Sequence, residues 1–247
     1  MQKVDAIVLA GGGLKGISGE ETPFKGLLPI GDRLMLDYVV EALKGCSRIG
    51  RIVVVIPSAE GVALPEGAEF ILNDGSLTDN IYAGMGHLKT DRMILLVSGD
   101  IPLLTTEAVD NFLECCEREK AQVYYPIIPQ KDVERCFLGV RRTYAALREG
   151  TFTGGNLTLV DPGLFESNRD LLERLYGFRK SPLKLARVLG FSFVLKFLLH
   201  LLTIEAAEKR LSDLIGGQGR AVITPYPEIG MDVDKDSDLE LARRILS

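Results

Sequence analysis

The sequence predicts an α/β fold, a three-layer α/β/α arrangement in which a mostly parallel sheet lies between helices. Two observations predict its class, and a third its size. Short apolar runs that end in Gly or Pro alternate with longer stretches of 3.6-residue period, the βαβ pattern. The run RIVVVIP at 51–57 is apolar enough for a strand buried on both faces. A chain of 247 residues, 46% hydrophobic and 26% charged, has the length and ordinary globular composition for one large core.

The elements follow in order. DAIVLA at 5–10 is the first strand, and GGGLKGISGEETPFKGLLPIG at 11–31 is a loop with too many Gly and Pro for a helix. Leu36, Val39, Val40 and Leu43 share one face of a helix over 35–44. RIVVVIP and EFILND (69–74) are strands, and 79–88 is helical. RMILLVSGDIP (92–102) is a strand ending at Asp100, followed by a helix capped by Thr106. AQVYYPIIP (121–129) and CFLGVRR (136–142) read as strands, and TGGNLTLVDP (153–162) as a strand entered through a Gly pair. RAVITPYP (220–227) returns to the sheet, and LELARRIL (239–246) closes the chain as a helix capped by Ser237 or Asp236.

Residues 1–247 read as a single domain with 177–217 as a helical insertion. The insertion comprises a basic lead (Arg179, Lys180, Lys184, Arg187), the apolar LGFSFVLKFLLHLL, and a helix from Thr203 stopped by Gly216 and Gly217. Lys196 and His200 make it a poor membrane span. It suits a dimer contact, a lid, or a weak contact with an anionic membrane surface or lipid-like ligand.

A net charge of −5 argues against nucleic acid as a partner, since phosphate neutralisation needs clustered Lys and Arg. The start, MQKVDAIVLAGGG, reads as a strand and not a signal peptide, so a cytoplasmic location is expected. Cys46, Cys115, Cys116 and Cys136 lack metal-site spacing and read as reduced thiols.

Chemistry begins at Gly11, Gly12 and Gly13, where a strand opens into consecutive glycines whose N–H groups suit a polyphosphate. Gly11, Gly13 and Gly16 also fit the dinucleotide pattern G-x-G-x-x-G, but that motif opens directly into a helix, whereas Pro23 and Pro29 follow here. A Walker loop fails because no G-K-[ST] stands at the required spacing.

LAGG at 9–12, Lys25 before LLPIG, SGDIPLLT at 98–105 and DKDSDLELA at 234–242 resemble the shared signature of the MobA-like nucleotidyltransferases of GT-A fold, a Rossmann-like architecture. The resemblance covers most of the chain outside the insertion. It implies Leu9, Ala10 and the glycines at the nucleotide; Asn73, Asp74, Gly75, Ser76 and Asn80 at base and ribose; and Gly155 and Asn156 on the acceptor side. Lys15 stands near where the family often has Arg.

The same residues make chemical sense for moving a nucleotidyl group, which needs the triphosphate held, its charge neutralised and an acceptor aligned in line. Lys25 suits charge developing on the α-phosphate, and Lys15 the departing pyrophosphate. Asp100, after an apolar strand, and Asp234 suit Mg²⁺, with Asp232 two positions away in an extended segment and able to face the same side. The expected reaction is Mg²⁺-dependent transfer of NMP from an NTP to a small phosphorylated acceptor with release of pyrophosphate. A GT-A glycosyltransferase using a nucleotide sugar and a non-catalytic nucleotide-binding subunit are the competing readings.

Overall fold

A computed structural model describes residues 3–19, 22–58, 63–178 and 188–246. The central strand β1 (Val4–Leu9) has parallel neighbours on both sides. These are β4 (Ile49–Ile56) and β6 (Ile94–Ser98), and Val8 pairs with Val54 on one edge and Val97 on the other. β5 (Glu69–Leu72) extends the parallel side beyond β4.

Because side chains alternate along a strand, β1 feeds two cores. Ala6 and Val8 pack with α1 (Met35–Gly45) and α3 (Thr106–Cys116), whereas Ile7 packs with α2 (Leu77–Leu88) on the opposite face. The predicted face of α1 is the one buried: Leu36, Val39, Val40 and Leu43 have essentially no exposure.

The other side of the sheet is antiparallel at the join. β10 (Leu157–Val160) runs against β6, and β7 (Val123–Pro129) runs against β10. β9 (Gly150–Gly154) and β8 (Ala145–Leu147) follow along one edge, while β11 (Gly219–Ile223) pairs in parallel with the other edge of β7. Helices α5 (Pro162–Ser167) and α6 (Arg169–Phe178) follow β10. The expected three-layer α/β/α fold is thus present, with four consecutive parallel strands, β5, β4, β1 and β6, on the side of the glycine run.

A third apolar cluster joins the chain ends. The hairpin β2 (Pro29–Ile30) and β3 (Arg33–Leu34) follows the glycine loop, and the last helix, α9 (Asp236–Leu246), packs beside it. Leu28, Ile30, Val233 and Leu239 are buried together there, and the Arg243 guanidinium donates to the Pro29 carbonyl at 3.0 Å. This packing brings residues about two hundred positions apart to one place.

Several predicted elements are corrected. CFLGVRR is not a strand: α4 (Gln130–Cys136) ends at its first residue, the rest is irregular, and Leu138 is 87% exposed. The short apolar run Cys136, Phe137, Leu138 reads as a strand but pairs with none here. The cap of α3 is Thr105, whose hydroxyl accepts from the Ala108 N–H at 3.2 Å, while Thr106 is the first helical residue. Asp236 and Ser237 likewise lie inside α9 rather than capping it.

Within the segment 177–217, the basic lead Arg179, Lys180, Lys184 and Arg187 lies outside the described residues. The described part holds α7 (Phe191–Leu198) and α8 (Ile204–Ile215), the latter capped by Thr203 and ended by Gly216 at φ +63°. Among the described residues no helix is long and apolar enough to cross a membrane.

Candidate active site

The site lies where β1 and β6 end. After β1 the chain loops out and returns: the Lys25 N–H donates to the Gly12 carbonyl at 2.8 Å, opening a 3₁₀ turn over Lys25–Leu27. The turn buries Lys25 and aims its ammonium across the end of β6. Asp100 stands two residues beyond β6, and its carbonyl accepts from the Val233 N–H at 2.9 Å, docking the C-terminal segment there. The loop closes on the same segment: a Cβ on Gly16, at φ +93°, would lie 2.6 Å from the Asp234 carbonyl oxygen, so glycine is required. The Ser18 N–H also donates to Asp236 Oδ1 at 2.8 Å.

These ties bring together the charged residues named from the sequence. Lys25 Nζ lies 3.3 Å from Asp100 Oδ2 and also donates to Asp234 Oδ1. Asp100, Asp232 and Asp234 each present a carboxylate oxygen, all within 4.8 Å of one another. The Ser98 hydroxyl donates to Asp100 Oδ1 at 2.5 Å, and the Asp234 N–H donates to Asp238 Oδ2 at 3.1 Å. Asp232 accepts from Arg142 and, at 3.3 Å, from the Asn156 amide.

The electrostatics follow from this crowding. Burial opposes the Lys25 charge, yet its hydrogen bond to Asp234 and the charges of Asp100 and Asp234 outweigh it, raising the ammonium above the usual lysine value. Lys25 is therefore a fixed cation and not a base. Burial also pushes the Asp234 carboxyl up, but the hydrogen bond and charge of Lys25 overcome that and hold it below the usual aspartate value. For Asp232 burial wins: it raises the carboxyl despite Arg142, and the neighbouring Asp234 and Asp100 charges add to the rise.

Three carboxylates thus face two cations, and a further cation would relieve the excess. Their all-oxygen donor set suits Mg²⁺. Three carboxylate oxygens within 4.8 Å of one another, completed by phosphate oxygens and water, would be the donors for such an ion.

Beside the charged cluster lies an open cavity of about 490 Å³. Leu9, Gly11, Gly12, Gly75, Ser76, Asn80, Gly155 and Asn156, all named from the sequence, line it. Asn80 is buried and fixed, with its Oδ1 accepting from the Asn73 amide at 2.9 Å and its own amide donating to the Gly75 carbonyl at 3.3 Å. Ser76 caps α2, accepting from the Asp79 N–H at 3.2 Å. Gly155 is placed where β9 passes into β10, and a Cβ there would lie 2.6 Å from Ile229 and 2.7 Å from Pro126. The close approach lets the Asn156 N–H donate to the Ile229 carbonyl at 2.9 Å, aiming its side chain at Asp232.

Other expected residues stand elsewhere. Ala10 is buried in the core, Asn73 supports Asn80, and Gly13, Asp74 and Lys15 are exposed, with Lys15 at a turn away from the Lys25 cluster's bonds. Sequence reasoning missed Ser98 and Arg142. Ser98 is the first residue of the SGD string and was legible there; Arg142 was hidden in a stretch read as strand.

A mostly parallel sheet carrying a glycine turn, a buried lysine and aspartates after its strands fits the signature that the sequence shares with nucleotidyltransferases, in keeping with the rule that ligands bind beyond the carboxyl ends of such strands. The model of the MobA-like NTP transferase domain matches residues 6–170, and the chain belongs to that family. Its class is that of the nucleotidyltransferases. No curated protein matches the sequence.

Among solved structures, a hypothetical transferase from Thermus thermophilus is 39% identical, covers 96% of this chain and 100% of its own, and superposes with a TM-score of 0.87. A 2-C-methyl-D-erythritol 4-phosphate cytidylyltransferase, also from Thermus thermophilus, shares the fold at 16% identity, with TM-score 0.59 over 99% of this chain and 98% of that one. A CMP:2-keto-3-deoxy-manno-octonic acid synthetase complexed with CTP does so at 16% identity and TM-score 0.57, over 100% and 98%.

Proposed function

We propose that the protein transfers an NMP group from an NTP to a small phosphorylated acceptor, with Mg²⁺, and releases pyrophosphate. The observation that carries this reading is the meeting of Lys25 with Asp100, Asp232 and Asp234 beside a glycine-lined cavity. The N–H groups of Gly11 and Gly12 suit the triphosphate, while Gly75, Ser76 and Asn80 suit the nucleoside. Lys25, held protonated, offsets charge on the α-phosphate as the acceptor oxygen attacks in line. Asp100, Asp232 and Asp234 would hold Mg²⁺, which supplies charge neutralisation for the departing pyrophosphate. An acceptor phosphate, whose second pKa is near 6, is already a nucleophile at neutral pH, so the reaction needs no histidine base. Asn156 and Arg142 keep Asp232 in place by direct hydrogen bonds.

The test offers the purified chain each of the four NTPs with Mg²⁺ and a panel of phosphate monoesters. Acceptor-dependent pyrophosphate release, abolished by Asp100→Asn and Asp234→Asn, is the expected result; no release with any combination would contradict the reading.

A further inference from the structure

A second cavity, of about 400 Å³, shares Thr158 as a wall with the glycine-lined one. Val123, Tyr125 and Ile127 of β7 form its floor, and Ile204, Ala207 and Leu211 of α8, spaced along one helix face, form its roof. Glu208 and Arg220 also reach it, but they pair with each other at 3.1 Å and cancel their charges. What remains is hydrocarbon with two hydroxyl-bearing side chains, Tyr125 and Thr158.

The two apolar faces confront each other without closing. Tyr125 is 40% exposed, and Ile204, Ala207 and Leu211 are only half-buried. Such a gap forfeits dispersion contacts that a small inward shift of α8 would recover. The helix is instead seated on β11, where a Cβ on Gly219 would lie 2.5 Å from Leu211, and is tied along its length. Its Ile204 N–H donates to Glu149 at 3.1 Å, Ser212 accepts from the Gly219 N–H at 3.0 Å, and Glu208 accepts from the Ala221 N–H at 2.8 Å. Among the described residues nothing fills the space, which is within the size range of ligand pockets.

The cavity also has a direction. Thr158 is two residues beyond Asn156, whose amide reaches Asp232 at 3.3 Å. A ligand whose phosphate lies beside Arg142 and Asn156 would have its chain directed along β10 towards Thr158, which borders both cavities. We infer that this cavity receives the hydrocarbon tail of the acceptor, so that the acceptor is an amphiphile, the phosphate monoester of an alcohol carrying an apolar chain. Assigning the occupant as acceptor rests on the nucleotidyl-transfer reading above; the apolar-tail site itself does not.

The experiment titrates the full chain, with Mg²⁺ present, against two probes of one head group, methyl phosphate and octyl phosphate below its aggregation concentration. Each methylene buried multiplies affinity about fourfold, so octyl phosphate, burying about five of its seven extra methylenes, is expected to bind roughly a thousandfold tighter. Ala207→Phe on the helix wall and Ala221→Leu on the strand wall fill the cavity from opposite sides. Each is expected to erase the octyl advantage while keeping cooperative urea unfolding, which shows that the variant has folded. Equal affinity for the two probes in the wild type overturns the inference, as does an octyl advantage that survives in both variants. If no acceptor elicits pyrophosphate while the octyl advantage and its loss hold, the reading of the activity fails and the apolar site stands. If release occurs with hydrophilic acceptors and the octyl advantage is absent, the inference fails alone.

Discussion

Strands β1, β4 and β6 and strands β7, β9 and β11 belong to one sheet, yet the helices that cover them behave differently. Over the parallel strands α1 and α2 sit hard against the sheet: Leu36 and Leu43 are fully buried, and Gly84 of α2 lies so near Ile7 that a Cβ would meet it at 2.8 Å. Beyond β10, α8 touches β11, where a Cβ on Gly219 would lie 2.5 Å from Leu211, but leaves a cavity over β7, and α7 leaves Phe191 and Leu198 80% and 67% exposed. The charged cluster lies at the seam. Lys25 and Asp100 come from the tightly packed side, whereas Asn156 and Arg142 reach in from the looser side to hold Asp232. On the proposed reading, the groups around the triphosphate would stand on the tightly packed half and the acceptor would be met by the more open one.

The largest effect that sharpens this contrast is kinetic. Lys25→Ala removes the cation between Asp100 and Asp234 and is expected to lower kcat/KM about a thousandfold, ~4 kcal/mol of transition-state stabilisation. Steady-state kinetics on a variant of unchanged urea midpoint would check it, and a loss under tenfold would contradict the role given to Lys25.

Next comes packing. Leu36→Ala, at a fully buried position, is expected to destabilise by about 2–5 kcal/mol. Leu198→Ala on the exposed face of α7 should change stability by less than about 0.5 kcal/mol. Urea denaturation of both variants measures the contrast, and comparable losses would break the distinction between the halves.

The seam itself is probed by Arg142→Ala. Without the guanidinium, burial and the Asp234 and Asp100 charges act on Asp232 unopposed. Its carboxyl should rise further, and activity should fall roughly tenfold at neutral pH and recover in part as pH rises. A flat pH profile like that of the wild type would show that Arg142 serves the fold alone.

The smallest effect lies at the far edge of the tight half. Hydrogen bonds from Arg51 and His87 hold the Glu69 carboxyl down from 4.5 to about 2. A depressed carboxylate adds stability above its unfolded value and loses it as pH falls through the folded one. Glu69→Gln should therefore narrow the difference between the urea midpoints at pH 6 and pH 3. The effect is modest because the pair is open to solvent.

How much of this was legible follows the same division. The parallel side was read nearly element by element, because buried strands there are continuous apolar runs and α1 shows a clean helical period. Lys25, Asp100 and Asp234 were legible because they stand at strand ends or beside distinctive strings. On the other side, β8 and β9 are short and built largely of small residues, and Val133 is the lone buried apolar side chain of α4. Neither gives a periodic signal. Arg142 could not be found because its meaning depends on Asp232, ninety residues away, and on a loop with no pattern of its own. The gap under α8 is likewise invisible in sequence, since Ile204, Ala207 and Leu211 read as an ordinary packed helix face.

The central claim is that Asp100, Asp232 and Asp234 together hold the divalent ion that accompanies the triphosphate. Electron paramagnetic resonance with Mn²⁺ in place of Mg²⁺ tests it directly. The account predicts one Mn²⁺ bound per chain when NTP is present, and loss of that signal in the Asp100→Asn, Asp234→Asn double variant. Mn²⁺ and NTP bound as tightly by the double variant as by the wild type would contradict it.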